Sequence, residues 1–189
     1  MSVNLIQSIK KNLGFAELKK IDPNTQRPVD DGREEDRLNQ SAIPTVLIVL
    51  YKYTRTDGGA QEVLSSSITS DWMEKMLAED TVDAVAKVAK YSDVPEVIAL
   101  ERMEQIAKQA VALINTANPA SSDEVKNIVA AERNAILSYL PPSLHMGELL
   151  NDGTLDDNVN KMEGPMSGMM KSLGGIFSSS ERGKDDQGK

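Results

Sequence analysis

The chain has 189 residues, 26% of them charged and only 4% aromatic, with a formal net charge of −8 and no cysteine. That length allows one domain with extensions. The lack of cysteine excludes disulfides, thiolate chemistry and Cys-ligated zinc, and the acidic balance argues against nucleic acid, which takes a concentrated basic surface.

No residue run reaches the length of a membrane span, and the first residues lack the apolar core and small-residue cleavage site of a secretory signal, so a cytoplasmic protein is expected. Val3, Leu5, Ile6, Ile9 and Leu13 predict a short amphipathic helix, with Ser2 as its cap and Gly14 as its stop. Lys10, Lys11, Lys19 and Lys20 make this the most basic end of the chain. They read as the solvated face of a first core helix. The alternative, a membrane-surface anchor, asks for a longer stripe and for Trp.

Residues 22 to 37, which include Asp22, Pro23, Asn24, Pro28, Asp30 and Asp31, offer almost nothing to bury and read as a loop or flexible insertion. Their acids lack the alternating ligands, central Gly and terminal Glu of a calcium loop. Ser41 to Tyr53 is the most apolar window. Its β-branched residues would permit a strand, but nothing else in the chain offers a strand to pair with it. A helix is therefore expected, capped by Ser41 and with Pro44 in its first turn. Asp57, Gly58 and Gly59 predict a turn before a helix from Ala60 to Ser67. Trp72, Met73, Met76 and Leu77 follow at helical spacing, as do Val82, Val85, Val88 and Ala89 after an Asp80 cap, and all are assigned to the core.

Three of these segments carry a resemblance: Ser2-Val3-Asn4-Leu5-Ile6, Ser41-Ala42-Ile43-Pro44-Thr45-Val46-Leu47, and Asp57-Gly58-Gly59-Ala60 followed by Val63 and Leu64. Residues 2 to 77 resemble the opening of the bacterial YidB-like family, also called domain of unknown function 937. Its members open with a short "NLI" or "NLL" helix, place "IPT" or a relative at a helix start, and set "GGA" before the next helix. The resemblance implies an all-helical fold, and it carries no activity and no catalytic residues.

The strongest helical signal runs from Ser92 to Leu140. Asp93 and Glu96 form a predicted capping box with Pro95 in the first turn. Leu100, Met103, Ala107, Ala110 and Ile114 then make one buried stripe, widened by Ile106, Val111 and Leu113. Pro119 stops this helix. Ser121 and Glu124 cap a second one with Val125, Ile128, Val129, Ile136, Tyr139 and Leu140 on its stripe, ended by Pro141 and Pro142. The short connection predicts an antiparallel hairpin over about 93–140, each arm on the order of 30 Å long. Glu132 sits on the apolar side, where an ionised carboxylate is costly unless paired. It reads as an edge residue or the partner of a Lys or Arg on a neighbouring helix, rather than as a functional acid.

Candidate sites are few. His145, the only histidine, shares a helical face with Glu148 and Asp152 and so suggests a metal-dependent enzyme. One imidazole is too few for an ordinary catalytic metal site, and Gly147 weakens the helix. No nucleophile motif, P-loop or dinucleotide fingerprint is present, so neither a catalytic residue, nor a cofactor or metal, nor a small-molecule substrate is assigned. Asn151-Asp152-Gly153 predicts a turn, with Thr154 capping a helix that carries Leu155, Val159 and Met162. Beyond it Met166, Met169, Met170, Leu173, Ile176 and Phe177 fall on one helical face opposite Ser and Gly. A Met-rich face is deformable and suits variable partners, while its glycines make an isolated helix poor.

The sequence therefore predicts an all-α multi-helix bundle over 1–162, a conditional amphipathic helix over 163–178 and a disordered tail over 179–189. The expected function is non-enzymatic association, with a protein partner or a second copy, through Met166 to Phe177. The alternative is attachment to a membrane surface by the same segment.

Overall fold

The computed structural model describes residues 4–30, 36–56, 58–65 and 71–152, all within one compact unit. Its helices are α1 (Leu5–Leu13), α2 (Arg37–Thr54), α3 (Gly59–Ser65), α4 (Trp72–Leu77), α5 (Thr81–Ser92), α6 (Glu96–Thr116), α7 (Ser122–Leu137) and α8 (Met146–Leu149). Short 3-10 turns at Ala78–Asp80 and Pro142–Leu144 precede α5 and α8. The fold is all-α. Among the described residues the only β pairing is an isolated bridge between Ile21 and Pro28.

The bundle is built around α2. Every residue from Asn39 to Leu50 is buried, and a helix that is apolar all round has no face to give to water. It therefore lies at the centre, packed chiefly by α5, α6 and α7 and completed by α3 and α4. Pro44 lies well inside α2. An interior proline costs a helix about 3 kcal/mol, which burial on every side offsets here.

The two long helices of the 93–140 region form, but their stripes face α2 more than one another. The physical reason is the same: a helix apolar on all sides must be covered from several directions, and it takes both stripes. Side-chain hydrogen bonds give the directions. Asn39 meets Arg102, while Gln40 reaches Tyr139. The start of α2 thus lies near the start of α6 and the end of α7, so α7 runs against α2.

Several boundaries differ from expectation. Asp36, not Ser41, caps α2 by accepting from the Asn39 amide at 3.1 Å. Ser41 is interior, with its hydroxyl 2.9 Å from the Arg37 carbonyl and 2.9 Å from Ser92 Oγ. Asn4, not Ser2, caps α1, accepting from the Gln7 amide at 2.9 Å. Asp93 does not cap α6 but closes α5 in the left-handed region at φ 58°. Leu100 and Val82, assigned to the core, are exposed. Lys10 and Lys19, assigned to a solvated face, are buried. Lys10 pairs with Glu17, and the Lys19 backbone is held by Gln40 from both sides.

Residues 22–30 are not a structureless insertion. Asp22 Oδ1 accepts from the Asn24 amide at 2.8 Å, the Asp22 amide donates to the Arg27 carbonyl at 2.8 Å, and the Ile21 amide donates to the Ser138 carbonyl at 2.8 Å. Such an Asx turn needs no buried side chains, which is why hydrophobicity alone does not reveal it. Gly58 and Gly59, by contrast, are demanded by geometry. Gly58 has φ 93°, and a Cβ on Gly59 would lie 2.0 Å from the Tyr53 carbonyl oxygen.

Candidate functional site

At one end of the bundle several side-chain contacts tie distant segments together. There the first turn of α2 meets the last turns of α5 and the start of α6. Ser92 Oγ donates to the Arg37 carbonyl at 3.2 Å, and the Arg37 guanidinium lies 5.2 Å from the centre of the Tyr91 ring. Gln40 Nε2 donates at 2.9 Å to the Tyr139 carbonyl, bringing the chain just past α7 to the same place. Arg102 donates to Asn39 Oδ1 and lies 4.5 Å from the centre of the Phe15 ring. These bonds hold the rim of the site, because each joins segments distant in sequence.

A groove of about 500 Å³ opens at this end. The 25–28 turn lines it on one part, Pro141, Pro142, Ser143 and His145 on another, and Tyr91 between them in the lining. Gln26 and His145 both sit in the left-handed region, at φ 55° and φ 48°. Such conformations cost non-glycine residues free energy, and in this chain they also occur at other turns and helix ends, such as Asp71, Ala78 and Asn118. Arg27 and His145 are exposed, so the groove offers apolar proline and tyrosine surface with cationic or neutral nitrogen donors at its edge.

Beyond Tyr91 the chain turns the α5–α6 corner, and Val97, Ile98 and Leu100 are exposed to 60%, 42% and 37%. Val97 to Leu100 is an unbroken apolar run. At 100° per residue four neighbours span most of a helix circumference, so one buried stripe cannot hold them all. Ala99 takes the inward position and the larger side chains are left outside. Asp93, Glu96 and Glu101 are exposed around them. The stripe through Leu100 predicts burial there, whereas the unbroken run itself is the signal of the patch.

The residues predicted to carry function fare differently. Met166, Met169, Met170, Leu173, Ile176 and Phe177 lie outside the described residues, as does the predicted helix with Leu155, Val159 and Met162. His145 is exposed and lines the groove; Asp152 Oδ2 instead lies 3.6 Å from Lys52 Nζ. Among the described residues no group of three His, Asp or Glu side chains is arranged to hold a metal ion. Nor, among them, is any helix long and apolar enough to cross a membrane.

Two perturbed acids have structural partners. Glu132, buried on α7, accepts from the Leu5 amide at 3.3 Å and so caps α1 from another helix; burial pushes its carboxyl above the ordinary value, with the amide bond opposing. Glu62 is held below the ordinary value by hydrogen bonds from Tyr53 and Lys75. Burial, with Glu62 beside it, pushes the Tyr53 hydroxyl up to about 12. Together Tyr53, Glu62 and Lys75 tie α2, α3 and α4.

No family model, no curated protein and no solved structure matches this chain.

Proposed function

We propose that this chain acts without catalysis, through association, and that its described contact surface is the end of the bundle carrying Tyr91 and Val97 to Leu100. The carrying observation is the exposure of Val97, Ile98 and Leu100 within one turn of α6, in a bundle whose other described large hydrophobic side chains, Val29 and Val82 apart, are wholly or partly packed inside. A second copy fits this surface. Its groove edge carries Arg27 and His145, and its aliphatic patch is bordered by Asp93, Glu96 and Glu101. A surface with both signs beside an apolar centre is self-complementary across a two-fold axis, where each patch meets the other copy's groove.

The Met166 to Phe177 face is a second contact element in this reading. We also propose that residues 2 to 77 are related to the YidB-like family, which supplies no activity that competes with association. Light-scattering mass across a concentration series tests the proposal on the full chain, on a version ending at Glu163, and on Val97→Asp combined with Ile98→Asp. Expected is a dimer whose mass falls toward the monomer in the Asp variant. A full chain that stays monomeric at every concentration overturns self-association, and liposome co-sedimentation of that monomer would assign the membrane instead.

A further inference from the structure

Helix α4 is six residues long, too short to persist unless its surroundings hold it. It buries Trp72, Met73 and Leu77, and its neighbours in space are chiefly α6 and α2. We infer that α4 is a lid on α2 that opens as a unit while the rest of the bundle stays folded, with the Glu104 carboxylate as its latch and Ala78 as its hinge.

The latch follows from where the first amides of the helix go. The Trp72 amide donates to Glu104 Oε2 at 3.0 Å and the Met73 amide to Glu104 Oε1 at 2.8 Å. One carboxylate from within α6 thus takes both, in the place that a helix's own capping side chain usually fills. Asp71, the cap residue, makes no side-chain bond of that kind. Bonds from amides to a carboxylate are among the stronger ones, and here two of them depend on a single side chain. The other ties are lighter. Lys75 Nζ lies 3.0 Å from Glu62 Oε1 on α3 with both side chains part-exposed, where an ion pair contributes little, and Thr81 Oγ1 donates to the Met73 carbonyl at 3.2 Å.

The hinge follows from the backbone. Ala78, just past α4, has φ 49° and ψ −117°. Those are the angles of the first corner of a type II′ turn, where glycine dominates because a Cβ is crowded. Asp71, just before α4, has φ 77°, which Asp bears better than Ala bears its own angles. Closure therefore holds a strained alanine, and opening releases it. Strain at the hinge, three buried side chains and a latch of one residue separate a local opening from global unfolding. Opening exposes Trp72 and Met73, both less than 2% accessible when closed, together with the flank of α2 beneath them. The lid does not depend on the association surface.

Native-state hydrogen exchange of the isotope-labelled full chain, under conditions where exchange reports the opening equilibrium, tests the inference. Besides the two amides held by Glu104, the Lys75 amide donates to the Asp71 carbonyl and the Ala78 amide to the Glu74 carbonyl. All four should exchange with one common opening constant, larger than that of the α2 amides and insensitive to low urea. Glu104→Gln keeps an acceptor for one amide and should raise that constant about tenfold at all four positions, leaving α2 unchanged. Ala78→Gly should lower it several-fold by relieving the closed state. The chain has no cysteine, so Met73→Cys supplies a single thiol, whose labelling by a disulfide reagent should quicken with Glu104→Gln and slow with Ala78→Gly. Exchange of α4 only together with α2, a Glu104→Gln effect confined to Trp72 and Met73, or faster exchange in Ala78→Gly would each overturn the lid.

Discussion

Glu132 shows how a single side chain can be visible in the sequence and still be misassigned. Its place on an apolar stripe marks it as buried, and it is; the expected cation partner is replaced by a backbone amide from the far end of the chain. Because burial raises its carboxyl pKa, the native state binds this proton more tightly than the unfolded chain does. Its contribution to stability is therefore full below the ordinary value of 4.5 and is lost as pH rises from there through the raised value. Glu132→Gln keeps an acceptor for Leu5 and removes the charge, so it should raise the melting temperature at pH 7 and lose that advantage below pH about 4. A lowered melting temperature at pH 7 would show that the ionised form is the one the fold needs. Thr45 is a simpler case, with a hydroxyl buried in α2 and left without a hydrogen-bond partner. Thr45→Val should stabilise by about 1–2 kcal/mol in urea denaturation. Gly59→Ala should cost at least about 1–3 kcal/mol, since its Cβ meets backbone rather than a movable side chain.

At the scale of elements, periodicity located the helices better than it located what they pack against. The Leu5, Trp72, Val125 and Ile136 stripes are buried as expected. The 41–53 window is helix, as expected where no partner strand is offered, and none is present among the described residues; its lack of a polar face becomes its central position. What local sequence does not carry is the partner of a cap or a loop. Asp36 outcompetes Ser41 because it stands before the polar first turn that Ser41 would have excluded. Gln40 serves the loop as a strand would, accepting from the Lys19 amide at 2.7 Å and donating to the Lys19 carbonyl at 2.9 Å. Gln40→Leu would strand those groups and the Tyr139 carbonyl, costing about 2–4 kcal/mol. Hydrogen exchange should then quicken first at Lys19 and Ile21, before α2 itself is affected.

For the whole molecule, the proposed association surface is only half legible in the sequence. The apolar run at Val97 to Leu100 can be read directly, but Tyr91, Arg27 and His145 come together only through the turn at 22–28 and the break after α7. A contact between two such surfaces that mixes aliphatic and charged groups should weaken, without vanishing, as ionic strength rises above the Debye regime of about 0.15 M. Sedimentation velocity from low to molar salt measures this directly. Complete dissociation at high salt would mean that the charges alone hold the copies together.

The central position of α2 has a consequence for synthesis. The helices that cover it most, α5, α6 and α7, all come later in the chain. Leu5 is met by Glu132 across 127 residues, and the Trp72 amide by Glu104 across 32. A ribosome must therefore deliver the covers well after the hub. Until α7 has left the exit tunnel, α2 is an apolar segment covered only in part, the kind of surface that chaperones of nascent chains bind, and the Leu5 amide gains its Glu132 acceptor only once α7 is made.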